Sequence, residues 1–263
     1  MAEHPEHAAI PSVNEAPQDF WEPEPGAVAD DTTAAADPAC AADELDDTTA
    51  SGVWSRLLSG NRRFAGDKAT NAGRDAAARK ALVDGQQPTA IVLSCSDSRV
   101  VPELLFDSPL GDLFTVRTAG EMVDDAVLRT IEFAIDGLHP KLLVVLAHQH
   151  CAAIEACRHD VDELLAKTAK ETGKDPADVI DDLDEILDGS KDPMLRFVGT
   201  AVWQAKIADL DSADDCEQVA VAHTIEYLVT HSEIIRDALA RERMMIVGAR
   251  YRLDTGLVET LSF

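Results

Sequence analysis

Four short apolar runs constrain the fold of this chain more than any other feature: TAIVLSC (89–95), LFTVRT (113–118), LLVVLAH (142–148) and MMIVGARY (244–251). Each has the length of a strand, and a strand that is apolar on both faces is one buried on both faces. Helical patterns separate them, notably DAVLRTIEFAIDGL (125–138) and TIEYLVTHSEIIRDALARE (224–242). Such strands, joined by helices, assemble into a parallel sheet between helical layers. The expected class is therefore α/β, with a mostly parallel central β-sheet flanked by helices. Ahead of the first strand, VWSRLLSGNRRFAGD places Val53, Trp54, Leu57, Leu58 and Phe64 on one side of an amphipathic helix, with Gly60 expected to break it. The acidic stretch 158–217 is expected to form peripheral helices, and no internal repeat is present.

Charge narrows the function. A formal net charge of -26 excludes a nucleic-acid partner, which needs a basic footprint, and leaves small neutral ligands or anions held in a locally positive pocket. Residues 1–50 contain thirteen Asp or Glu and no Lys or Arg. A segment so poor in apolar surface cannot offset its ordering entropy, so 1–50 is expected to be a disordered acidic extension and 51–263 the folded domain. Phe20 and Trp21 could anchor an unknown protein partner there. The extension lacks the basic and apolar regions of a signal peptide, and no apolar run is long enough to span a bilayer. Cys40, Cys95, Cys151, Cys157 and Cys216 form no evident disulfide framework, which suggests a reducing, cytoplasmic setting. Cys157 and Cys216 are read as buried small residues.

Chemistry concentrates at the ends of two of the runs. If 89–95 and 142–148 are parallel strands, Cys95 and His148 both stand at carboxyl ends, the edge where open α/β sheets place their ligands. Cys151 opens the helical stretch CAAIEACRH, and a helix N-terminus favours the thiolate form that binds metal. Cys95, His148 and Cys151 make a soft nitrogen and sulfur set suited to Zn(II), with an open fourth position of the kind catalytic sites keep. Asp97 and Arg99 lie within the next four residues. Alone they would read as a structural ion pair or capping groups; beside a metal they read as a carboxylate that tunes or alternately ligates it.

CSDSR and HQHC together resemble the C-x-D-x-R and H-x-x-C signature of the β-class carbonic anhydrases. The similarity extends through LLSGNRRF, GQQPTAIVLSCSDSRV, GDLFTVRTAG and IEFAI, and returns in IVGARYRLDTGLVETL. The resemblance implies one zinc ion per chain on Cys95, His148 and Cys151, with Asp97 and Arg99 as the catalytic dyad. It implies reversible hydration of CO2 to bicarbonate and a proton by zinc-bound hydroxide, with Arg99 keeping Asp97 off the metal in the open form. The substrate pocket falls on Gln86, Phe114, Ala119 and Phe133, and Val92 stands where a bicarbonate-inhibited subgroup has tryptophan, which favours the permanently open subgroup. A homodimer or homotetramer follows by the same resemblance, with the helix around 53–65 embracing a neighbour and pocket residues contributed across the interface.

The chain departs from that pattern at four places: Ala147 and Ala152 replace usual glycines, Glu121 a usual asparagine, and Phe133 a frequent tyrosine. An added methyl costs about 1 kcal/mol or more where the backbone needs positive φ. His150 is either a proton shuttle or a solvent-facing loop histidine. Two other functions fit the same residues: hydrolysis of carbonyl sulfide or carbon disulfide on this fold, and a catalytically silent zinc-binding scaffold whose acidic tail recruits partners. A structural zinc site takes four protein ligands, so the intact set of Cys95, Asp97, Arg99, His148 and Cys151 argues against silence.

Overall fold

The computed structural model describes residues 48–210 and 212–262. The expectations for residues 1–47, including Phe20, Trp21 and Cys40, lie outside them. In chain order the elements are α1 (Ala50–Ala65), α2 (Ala76–Ala81), β1 (Ala90–Cys95), α3 (Pro102–Leu105), β2 (Leu113–Thr118), α4 (Asp125–Leu138), β3 (Leu142–His148), α5 (Ala152–Thr172), α6 (Pro176–Val179), α7 (Leu183–Asp188), α8 (Pro193–Ile207), α9 (Ala213–His231), α10 (Glu233–Ala240), β4 (Met245–Tyr251) and β5 (Val258–Thr260). Three-residue 3-10 turns follow β2 and α6, at Ala119–Glu121 and Ile180–Asp182.

The sheet runs β2-β1-β3-β4-β5. β1 to β4 are mutually parallel, and β5 is antiparallel to β4. From the carboxyl end of β1 the chain moves to β2 on one side, and from that of β3 it moves to β4 on the other, so the connections diverge between these two neighbouring strands. That switch opens a crevice at the carboxyl ends of β1 and β3.

Alternation along the strands divides the core in two. Ile91, Leu93 and Cys95 of β1 join Leu143, Val145 and Ala147 of β3 in one core, covered by α4, α5, α8, α9 and α10. Ala90, Val92, Leu142, Val144 and Leu146 face the other way, onto Val53, Trp54 and Leu57 of α1 and Leu105 of α3. Every residue of β3 is buried. At about 1.5–3 kcal/mol for each fully buried Leu or Val, this strand anchors both layers.

The structure departs from the sequence expectation at three places. Gly60 does not break α1 but lies inside it, buried where the helix meets the end of α3; a Cβ there would stand 1.8 Å from the Phe106 carbonyl oxygen. The helical pattern 224–242 is two helices. Ser232, with extended backbone, ends α9, and its hydroxyl accepts from the Ile235 N–H to cap α10. The stretch 158–217 is not peripheral, since Val179, Leu183, Leu187, Phe197, Val198, Ala201, Val202 and Ala205 are buried in the larger core. No helix of the described residues is long and apolar enough to cross a membrane.

Candidate metal centre

Cys95 is the last residue of β1 and His148 the last of β3, so pairing of these strands brings the two side chains to one edge. Cys151 is the N-cap residue of α5; its side chain makes no capping hydrogen bond and its thiol is free to face the others. The donor atoms of the three residues all lie within 4.8 Å of one another, with Cys95 Sγ 3.9 Å from Cys151 Sγ, and all three residues are buried.

The imidazole orientation is fixed by its neighbour. His148 Nδ1 lies 2.9 Å from the Gln149 carbonyl, which can only accept, so Nδ1 carries the proton and Nε2 is left with a free lone pair. Nε2 is buried and has no hydrogen-bond partner. A buried polar atom without a partner is costly, and a nitrogen lone pair converging with two sulfurs is the donor set zinc takes. The residues present fit a zinc ion.

The two thiols oppose each other. The hydrogen bond from Cys151, outweighing burial and aided by the Gly120 N–H, holds Cys95 down at about 4. That same contact, with burial and the nearby Glu121, pushes Cys151 well above the usual thiol range. A divalent cation held between them would let both carry charge at once.

Asp97 and Arg99 stand beside the ligands. Asp97 Oδ1 accepts from Arg99 N and Nε, each at 2.9 Å, and Oδ2 accepts from Nη2 at 2.7 Å. The guanidinium also donates to the His150 carbonyl at 3.2 Å, tying the pair to the loop between the two later ligands. Arg99 holds the Asp97 carboxyl well below the usual range despite some burial. Asp97 Oδ2 nevertheless lies 4.0 Å from His148 Nε2, close to where the three donors converge.

The departures sort themselves by backbone. Ala147 and Ala152 are not among the positive-φ residues, so their methyls carry no left-handed strain. The turn is carried instead by His150, at φ 57, whose side chain is exposed. Glu121 does adopt positive φ, 51, and is buried; burial first, then the charges of Cys95 and Glu217, push its carboxyl well above the usual range. Burial thus favours the neutral form of the carboxyl at the position where the resembled pattern has asparagine.

Of the expected pocket residues, Ala119 opens the turn whose next residue, Gly120, donates its N–H to Cys95 Sγ at 3.4 Å. Phe114 is half-buried on β2 against the larger core. Gln86 is exposed between α2 and β1, and Phe133 is 56% exposed on α4. Among the described contacts, none joins Gln86 or Phe133 to the three ligands.

Two residues escaped sequence reasoning. Glu217 of α9 is buried and accepts from the Cys151 N–H at 3.4 Å, while Arg250 of β4 lies 2.8 Å from its other oxygen. The signal available was Arg250, a lone charge inside MMIVGARY. A cavity of about 270 Å³ between α5 and α9 reaches Cys151 beside Glu217 and His150.

A family model described as carbonic anhydrase matches residues 90–258. Carbonic anhydrase 2 of Mycobacterium tuberculosis is 34% identical over 204 residues, covering 78% of this chain and 89% of that protein. The carbonic anhydrase of Mycolicibacterium smegmatis is 35% identical over 210 residues, covering 80% and 92%. Among solved structures, the β-carbonic anhydrase CafA of Aspergillus fumigatus has a TM-score of 0.54 at 20% identity over 80% of this chain and 90% of that one. The β-carbonic anhydrase CcaA has a TM-score of 0.52 at 24% identity, over 80% and 95%. These two likenesses concern the fold.

Proposed function

This chain belongs to the β-class carbonic anhydrase family, and from that membership we propose that it hydrates CO2 reversibly to bicarbonate and a proton, with one zinc ion held by Cys95, His148 and Cys151. When bound, zinc supplies a Lewis acid that makes hydroxide available from water near neutral pH. Two thiolates cancel the ion's charge, so that effect is weaker than with three histidines.

The chain's own residues do the rest. Arg99 takes both oxygens of Asp97 and keeps the carboxylate from closing the 4.0 Å gap toward His148 Nε2, so that water rather than Asp97 would complete a bound ion. Because its carboxyl is held far below neutrality, Asp97 acts as a hydrogen-bond acceptor and not as a base that carries the proton away. In that role it would accept a hydrogen bond from the O–H of the nucleophile, the proton staying on oxygen, and so orient the oxygen lone pair toward CO2. Phe114 and Ala119 supply apolar surface for a nonpolar substrate, and Gln86 and Phe133 serve from their exposed positions toward a neighbouring copy's site.

The observation that carries this reading is the pairing of a buried, unpartnered His148 Nε2 with two thiols and an Arg-held carboxylate. The test is Asp97→Asn, which keeps the shape but presents a donor where an acceptor is required. Zinc stays bound while CO2 hydration falls by roughly two orders of magnitude or more. A near-native rate removes Asp97 from the mechanism. Carbonyl sulfide and carbon disulfide, assayed in parallel, should turn over more slowly than CO2; the reverse order would assign the chain to those substrates.

A further inference from the structure

We infer that Arg117 is a positioning residue that clamps the main chain of the turn from Cys95 to Asp97, and through it sets where the Asp97 carboxylate stands. Arg117 lies on β2, paired in register with Ser94, while Thr118 pairs with Cys95. Its Nε donates to the Cys95 carbonyl at 3.0 Å and its Nη2 to the Asp97 carbonyl at 2.6 Å. One guanidinium thus joins the carbonyl of a zinc ligand to that of the proposed acceptor two residues later.

The position explains why a side chain does this work. β1 ends at Cys95, and its last main-chain tie to β2 is the Ser96 N–H to the Thr118 carbonyl at 2.8 Å. Beyond that point the turn has left the sheet. The Asp97 carbonyl also accepts from the Val100 N–H at 3.0 Å, which closes the turn locally but does not attach it to the strands. Arg117 makes that attachment from the neighbouring strand. Its planar fork offers two donors at fixed spacing, which lysine cannot reproduce. Two arginines then hold Asp97 from opposite ends, Arg99 by the carboxylate and Arg117 by the main chain.

The assignment rests on the function proposed above, and the experiment separates the two. Full-length zinc-loaded protein is compared with Arg117→Met, Arg117→Lys, Asp97→Asn and the double variant Arg117→Met with Asp97→Asn. Arg117→Met should lower kcat for CO2 hydration roughly 10- to 100-fold with a smaller change in KM, the range typical when a residue supporting a metal site is lost. Arg117→Lys should recover part of the loss. In the Asp97→Asn background the same change should cost little more, because the group it positions is already gone. Zinc release to a chelator gives a readout apart from activity: Arg117→Met should lose zinc several-fold faster, since the Cys95 carbonyl is freed. If Arg117→Met does not accumulate as folded protein, Arg117→Lys carries both comparisons with smaller effects of the same sign. Losses that multiply in the double variant, a native kcat in Arg117→Met, or unchanged zinc release overturn the inference. Absence of CO2 hydration in the native protein overturns the proposed function instead, and the zinc-release comparison still decides Arg117.

Discussion

His148 has one ring nitrogen committed to a carbonyl and the other buried with nothing to bond beside two thiols, a donor set that could hold a metal ion. Its place beside Cys95 was legible from sequence because it ends an apolar run, as Cys95 does, and both strand ends fall on one edge of the sheet. The burial of Glu121 was not legible, because an acidic residue after AG looks solvated until α9 covers it. Asp107 shows how residue chemistry becomes pH dependence. Burial favours its neutral form, but the Thr70 and Asn71 N–H groups, the Arg63 guanidinium and the Thr70 hydroxyl outweigh it and hold the carboxyl below its usual range. A depressed folded value means the stabilisation is present above the unfolded value, near pH 4, and is lost as pH falls from there through the folded one. Melting temperature should therefore drop on acidification, and Asp107→Asn should melt lower at pH 7 with a flatter acid limb. Parallel acid limbs in the two proteins would contradict this.

At the scale of elements, the strands were readable and the packing of helices was not. β1 to β4 announce themselves as apolar runs, whereas β5 buries only Val258 of its three residues and leaves no pattern. In α1, glycine suggested a break because sequence shows the missing side chain but not the Phe106 carbonyl that needs the space. Gly60→Ala puts a methyl within 1.8 Å of that oxygen, so α1 must move away from α3. The expected cost is about 1–3 kcal/mol, as for other overpacked sites, read as a lower urea midpoint with unchanged slope. An unchanged midpoint would mean that the two helices can separate freely. The acidic surfaces of α5 to α8 similarly hid a buried face, because composition averages over a helix while burial follows one side of it.

For the whole molecule, family membership rests on a match that spans both ligand strands and the return to the sheet at β4, and the described residues hold all three candidate ligands. We propose that 51–263 acts as one domain and that it works as a homodimer or homotetramer. The apolar face of α1 is used within its own chain, against β1, β3 and α3, so an embrace of the neighbour falls to its outer face. Phe133, exposed on α4, is the residue expected to meet that neighbour. Light scattering should give a dimer or tetramer, and Phe133→Asp should shift it toward monomer with loss of activity; a fully active monomer would contradict the proposal. We propose that the chain is a zinc enzyme whose metal sits on Cys95, His148 and Cys151. The most direct test of that assignment is the CO2 hydration rate of protein reloaded to graded zinc contents. The rate should rise in proportion to zinc and level off at about one ion per chain, the stoichiometry of a single three-ligand site. Full activity in zinc-free protein, or none at saturation, would contradict it.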